Sequence, residues 1–372
     1  MSNARELAQI PSTPSGRRNL IINGAMNVAQ RGTSETGVTT FGYYACDRYI
    51  FELTNTGTWT LSQSTDAPAG FANSFKLDCT TADASLAAGD IVIFSQRFEG
   101  QDLQHLQKGT SSAESLTASF WVKSSKTGTY ILEIDDNDNA RNINKSYTIN
   151  AANTWEYKTI TFEGDTTGTL DNDNGFSFRV IFWLAAGSDW SSGTLATSWG
   201  PTTNANRAVG NVNLADSTSN EFYLTGVQLE VGTVATEFEH RSFGEELALC
   251  QRYYYMAANG TSDTDEAGFG LSYGHQDTSS RFVVNFPVTM RAIPSLDSPT
   301  VTDGYRFVHG SSSSGSTSQL TSSLTLVYPN WNTKQRMLVG QTGLTDNNSG
   351  GNAGYAQVYN STTGYVAFDA EL

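Results

Sequence analysis

Gly270-Leu-Ser-Tyr-Gly274 matches the G-x-S-x-G pattern of a serine nucleophile, and His275 stands beside it. That pattern makes a nucleophile elbow only at a strand-to-helix turn of an α/β sheet. Residues 267–275 read instead as one glycine-containing β-strand, so the chemistry lacks its scaffold. His105, His240, His275 and His309 are scattered, and no His-Glu-x-x-His or paired spacing supports a catalytic metal. Asp135-Asp-Asn-Asp-Asn139 and Asp171-Asn-Asp-Asn-Gly175 offer the hard oxygens that calcium requires. Neither completes a twelve-residue binding loop, because the distal Glu is missing, and Asp and Asn are also common turn formers. Trp121 and Trp183 are the better candidates, since each projects from the polar side of an alternating run, alongside Lys123 and Arg179 respectively. A flat indole stacks on the apolar face of a sugar ring while nearby charged donors bond its hydroxyls. These four residues form the expected glycan platform, on the exposed face of one sheet. The competing expectation is that the indoles pack under a loop or against another subunit.

The elements that must position them are strands. Leu116, Ala118, Phe120 and Val122 share one face, opposite Thr117, Ser119, Trp121 and Lys123. Residues 176–184 alternate likewise, with Phe176, Phe178, Val180, Phe182 and Leu184 opposed by Ser177, Arg179, Ile181 and Trp183. Turn residues separate such runs and no helical pattern intervenes, so residues 19–243 are expected to form an antiparallel jelly-roll β-sandwich. A helical turn at 244–249 leads into a strand at 250–255, and residues 244–372 are expected to form a second, smaller β-sandwich. Its polar stretches at 311–318 and 346–354 read as long loops. Residues 1–18 stand apart: 4–10 can make two turns of helix, which Pro11 and Pro14 then stop. The fold class is all-β.

Composition agrees. Charged residues are only 16% of the 372, with 34 Gly and 11% aromatics, a mixture suited to short strands and tight turns. A formal net charge of −15 repels phosphate backbones and excludes a nucleic-acid partner. Anionic glycan or lipid is also resisted, except at a local basic patch. Cys46, Cys79 and Cys250 are too few and too widely spaced for a disulfide or zinc framework. No apolar run approaches membrane-spanning length, so no membrane insertion is expected, and the first residues lack the apolar core of a signal peptide.

Two segments bracket the first domain. It opens with Asn19-Leu-Ile-Ile-Asn-Gly-Ala-Met-Asn-Val-Ala-Gln-Arg-Gly32. It closes with Leu224-Thr-Gly-Val-Gln-Leu-Glu-Val-Gly-Thr-Val-Ala-Thr-Glu-Phe-Glu-His-Arg241, followed by Gly244-Glu-Glu-Leu-Ala-Leu-Cys-Gln-Arg-Tyr-Tyr254. With residues 44–49, 286–294 and the terminal Asp369-Ala-Glu-Leu372, this chain resembles bacteriophage tail-fibre and virion appendage proteins. In that family the brackets enclose a β-sandwich similar to a carbohydrate-binding module. The resemblance implies a non-catalytic virion adhesin, assembled in the host cytoplasm and carried on the phage tail. It would attach to other tail proteins through residues 1–18, bind a host surface glycan or receptor, and form a homotrimer with residues 244–372 as the receptor-binding, trimerising part. A purely structural virion part, such as a decoration, connector or nozzle-associated protein, is the alternative. A polysaccharide depolymerase stays open as a third reading. Related jelly rolls hold a structural calcium, but Asn27 and Gly226 occupy the matching places here. No cofactor is expected, with that calcium as the one candidate.

Overall fold

The computed structural model describes residues 17–260, 266–276, 279–301, 304–309, 316–320, 324–326, 332–342, 353–359 and 364–372. The expected helix at 4–10, and most of the expected loops at 311–318 and 346–354, lie outside the described residues. The chain divides after Ser242 into two compact units.

The first unit carries strands β1 (Ser34–Val38), β2 (Gly42–Tyr43), β3 (Ile50–Thr54), β4 (Thr58–Ser64), β5 (Ser74–Thr81), β6 (Ile91–Glu99) and β7 (Leu116–Ser124). After them come β8 (Gly128–Asp136), β9 (Arg141–Ile149), β10 (Glu156–Phe162), β11 (Phe176–Ala186), β12 (Gly200–Pro201) and β13 (Glu221–Val231). They form two antiparallel sheets, a six-stranded one in the order β1-β4-β5-β13-β7-β10 and a seven-stranded one in the order β12-β9-β8-β11-β6-β3-β2. The alternating apolar faces meet between them. Trp59, Phe75, Phe120 and Leu224 of the first sheet pack with Phe51, Phe94, Leu132 and Phe182 of the second in one continuous core. This is a jelly-roll-like β-sandwich, and the period-2 pattern builds it because each strand has one face to bury.

The opening and closing segments lie side by side. Asn19 works as a staple: its Nδ2 donates to Val227 O at 3.0 Å, and its Oδ1 accepts from the Leu229 and Ile21 amides, each at 3.0 Å. Leu20 N donates to Leu229 O, and Val227 N donates to Gly24 O. Glu239 accepts the Arg18 and Asn19 amides at 3.0 and 2.6 Å, and the Arg241 guanidinium donates to the Asn19 and Ile21 carbonyls. Glu230 meanwhile accepts from the amide and hydroxyl of Thr236, folding residues 232–240 back over β13. Arg18, expected in the N-terminal extension, therefore belongs to the first unit.

The second unit opens with helix α1 (Phe243–Gln251), longer than the single turn expected, so Cys250 lies in a helix and does not start a strand. Beyond it lie β14 (Tyr254–Asn259), β15 (Glu266–Gln276), β16 (Ser279–Asn285), β17 (Ser295–Asp297), β18 (Tyr305–His309) and β19 (Ser316–Leu320). They are followed by β20 (Thr325–Leu326), β21 (Arg336–Thr342), β22 (Ala353–Tyr359) and β23 (Tyr365–Asp369). A three-stranded sheet, β14-β23-β17, faces a seven-stranded one, β19-β18-β22-β15-β16-β21-β20, over a core that includes Phe282, Tyr305, Val339, Val358 and Phe368. Residues 316–318 and 353–354, expected in loops, lie in strands. The terminal strand β23 is central, hydrogen-bonded on both sides within its own unit.

Candidate aromatic face of the six-stranded sheet

The outward face of the six-stranded sheet gathers the aromatic groups best placed to bind. Trp121 on β7 stands directly opposite Tyr157 on β10, their rings 5.3 Å apart. Trp121 is half-buried and Tyr157 is 45% exposed. On the other side of Trp121 the closing segment makes room. β13 bulges between Thr225 and Gln228, and Gly226 there has a φ of 60°, a backbone region that a side chain disfavours. A Cβ on Gly226 would lie 2.6 Å from the Phe71 ring and 3.1 Å from Trp121 Cδ1. Phe71 in turn packs against Phe238 at 5.0 Å and His240 at 5.3 Å. His240, Phe71, Trp121 and Tyr157 thus form a row across the strands, with His240 and Tyr157 exposed and Phe71 and Trp121 half-buried.

Lys123 is not an open donor beside this row. Its ammonium pairs with Asp66 and lies 4.2 Å from the Tyr223 ring and 5.4 Å from that of Trp155. Trp155 Nε1 donates to the same Asp66 carboxylate at 3.1 Å. This cluster fixes one flank of the row in place. The hydrogen bond from Lys123 holds the Asp66 carboxyl below its usual range, against a smaller upward push from burial. Glu156, next to Tyr157, is pushed up by burial but lowered further by Lys158 and by the Ala151 and Asn150 donors, to about 2. Both carboxyls are depressed by folding, so their stabilisation is complete above about pH 5 and is lost as pH falls through the folded-state values. Carbon-detected NMR titration should show Glu156 titrating near 2 and Asp66 below its unfolded value, with Lys123→Met raising the Asp66 value. An ordinary Asp66 titration in the unaltered protein would disprove the clamp.

Trp183 and Arg179 do not join that face. They lie on β11, in the other sheet, so the expectation of one shared platform fails. Trp183 is 1% exposed. Alternation correctly aimed it away from the sandwich core, but residues 187–212 fold back over that side of the sheet. Trp183, Ile93, Ile131, Ile181 and Ala208 form a second small core there, with Trp190 and Leu195 against it. The Arg207 guanidinium sits 5.4 Å from the Trp183 ring and 5.5 Å from that of Trp190. Trp183 Nε1 donates to the buried Glu133 carboxylate at 2.6 Å, and Arg207 Nε donates to its other oxygen at 2.8 Å. No sugar can stack on this indole. Arg179 pairs with Glu52 at 3.0 Å and Asp135 at 3.1 Å.

The acidic loops bind each other. Asp136 pairs with Lys108 and accepts from Asn139, Asp138 accepts the Asp171 amide at 2.9 Å, and Asp173 accepts the Gly175 amide at 2.7 Å. Asn27 accepts from Asn73 at 3.0 Å. Among the described residues no three His, Cys, Asp or Glu side chains converge as a metal site would require. Ser272 lies inside β15, paired with Phe282 and Gly354, and the strand continues to Gln276, so the G-x-S-x-G match occupies no elbow.

Sequence reasoning missed Tyr157 and Phe71. Tyr157 was within reach, because Ile160 and Phe162 mark the buried face of β10 and place Tyr157 on the other. Phe71 follows Ala67-Pro-Ala-Gly70, where no periodicity exists to assign a face.

No protein-family model and no curated protein sequence matches the chain. Solved structures with partial similarity include the enzymatically active domain of bacteriophage CBA120 tailspike protein 4, at 14% identity and TM-score 0.29, covering 50% of this chain and 19% of that one. A putative sugar-binding protein from Bacteroides thetaiotaomicron is 12% identical over 58% of this chain and 100% of its own, with TM-score 0.33. The family 11 carbohydrate-binding module from Clostridium thermocellum is 13% identical over 56% of this chain and 99% of its own, with TM-score 0.27. The match spans about a fifth of the tailspike chain, and scores this low carry no weight for ligand or activity.

Proposed function

We propose that this chain is a glycan-binding component of a bacteriophage tail appendage, acting by adhesion and not by covalent chemistry. The observation that carries the binding role is the open row of Phe71, Trp121 and Tyr157 on a sheet face whose flank is locked by the Lys123–Asp66–Trp155 cluster. Aromatic faces held rigid and half-exposed bind sugar rings at little entropic cost. The virion setting rests on the bracketing segments of the sequence. Attachment through residues 1–18, host contact by the second unit and a homotrimer belong to the same proposal. Support for self-association comes from the outward face of the seven-stranded sheet in the second unit. There Tyr355, Leu271 and Val283 align across three strands, and Leu271 is 80% exposed. The mass of the full chain in solution tests it, and a monomer would sink it.

The binding role is tested by exposing the full chain to an array of bacterial surface polysaccharides. Trp121→Ala and Tyr157→Ala should each weaken the interactions found by roughly two- to tenfold, the worth of one stacked ring. Melting temperatures should stay close to that of the unaltered protein. Unchanged binding by both variants would move the site elsewhere. An array with no ligand at all would favour the purely structural virion part.

A further inference from the structure

We propose that Lys108 and Asp136 close an intramolecular isopeptide bond, a covalent cross-link between two side chains of the first unit. Lys76, Lys123 and Lys126 also pair with aspartates there, but with carboxylates that are partly exposed. Lys108 differs. Its side chain is 5% exposed and that of Asp136 is fully buried, and the Asp165 carboxylate, 3% exposed, lies 3.1 Å from the same ammonium. An ordinary ion pair gains little from such burial, because both charges lose their water. An amine and a carboxyl group held in contact away from solvent are, by contrast, placed for amide formation. Fixed proximity stands in for a collision, and the water that would reverse the step is kept out.

The surroundings supply the other parts. The Asn139 amide donates to Asp136 Oδ1 at 3.1 Å, and Asn139 Nδ2 lies 3.3 Å from Oδ1 and 3.0 Å from Oδ2. Donors therefore already face the oxygen on which negative charge develops when Nζ attacks Cγ. Asp165, fixed by two bonds from Arg141 at 2.7 and 3.0 Å, is placed to relay a proton. The Trp199 ring covers the ammonium, 5.3 Å from Nζ, with Phe178 against it. The step balances without a co-reactant: the Nζ–Cγ bond forms and the Cγ–Oδ2 bond breaks. One ammonium proton stays on the new amide nitrogen. The other two leave with Oδ2 as water, one passed along the Nζ–Oδ2 hydrogen bond and one through Asp165. The bond closes a loop that contains all of β7 and β8, one strand from each sheet. It restricts the unfolded chain as a disulfide would, in a unit whose Cys46 and Cys79 are free thiols.

The test is mass spectrometry of the full chain, folded on purification and then unfolded in denaturant. Its mass should be about 18 Da below that of its sequence, the loss of one water. Tryptic digestion should fail after Lys108 and leave a branched peptide joining the Lys108 and Asp136 segments. Lys108→Arg keeps the charge but presents a guanidinium that stays protonated and cannot attack, so that variant should show its full sequence mass. Asp165→Asn removes the relay and should leave most of the chain without the bond. Folding of the variants does not decide the matter, because the unaltered protein carries the main result. A full sequence mass there would overturn the proposal. So would a deficit that the digest places elsewhere, such as a cyclised Asp or Asn beside a glycine. A cross-link that forms completely in Asp165→Asn would overturn the assigned proton path.

Discussion

Replacing Trp183 with alanine should destabilise the first unit by about 3–5 kcal/mol, the usual range for a buried tryptophan. For a domain of this size that is a fall in melting temperature of roughly 10 °C or more. The indole fills the small core under residues 187–212 and donates to Glu133, so its loss opens a cavity and strips a hydrogen bond from a buried acid. Burial already pushes the Glu133 carboxyl above its ordinary value, with Arg207 opposing the rise. Trp121→Ala, at a half-exposed ring, should cost about 1 kcal/mol or less. Thermal melts of the two variants side by side measure the contrast. Equal small shifts would mean that residues 187–212 do not cover Trp183 in solution.

That contrast marks what a sequence can say about this site. Alternation placed Trp121, Lys123, Arg179 and Trp183 on the non-core faces of β7 and β11, and they are there. It could not say that the two strands belong to different sheets. In a jelly-roll-like fold the neighbour of a strand is set by long-range pairing: β11 lies between β6 and β8, and β7 between β13 and β10. Nor does a period of two reveal what folds over a face afterwards. Residues 187–212 contain one four-residue helix, one short 3-10 turn and a two-residue strand, with no periodicity to announce that Trp190 and Leu195 would cover Trp183. Lys123 was read as a donor from its place on the strand. The partner that occupies it, Asp66, comes from a loop more than fifty residues earlier.

The fold was more legible because burial acts on every strand at once. The eighteen closing residues, from Leu224 to Arg241, read only as a family signature, yet several have an identifiable physical task. Gly226 permits the bulge, Gln228 accepts the Glu239 amide, and Glu230 holds Thr236. In the second unit the expected strand at 250–255 starts too early, because Glu245 and Glu246 in the first turn favour a helix through Gln251 that the following tyrosines mask.

Gly24→Ala should be among the more damaging single changes in the first unit, although it adds only one methyl group. A Cβ at residue 24 would overlap the Val227 carbonyl oxygen and crowd both Asn19 Nδ2 and the Phe238 ring. Relief by a small shift is blocked, because Gly24 O accepts the Val227 amide while Val227 O accepts from Asn19. Moving either segment breaks bonds on both sides of the staple. Overpacking of this kind costs about 3 kcal/mol, at the upper end of its range, since backbone and not a side-chain tip receives the clash. Gly226→Ala is the instructive comparison: it meets a positive φ and the Phe71 ring, and Phe71 can tilt outward. That variant should lose about 1–2 kcal/mol and mainly disturb the aromatic row. Urea midpoints for both, with binding measured on Gly226→Ala, separate closure from recognition. A Gly24→Ala protein of unaltered midpoint would show that the opening and closing segments are not clasped. A lowered midpoint would mean that the most recognisable residues of this chain specify how the sandwich is shut, and leave the choice of ligand to residues outside them such as Phe71, Trp121 and Tyr157.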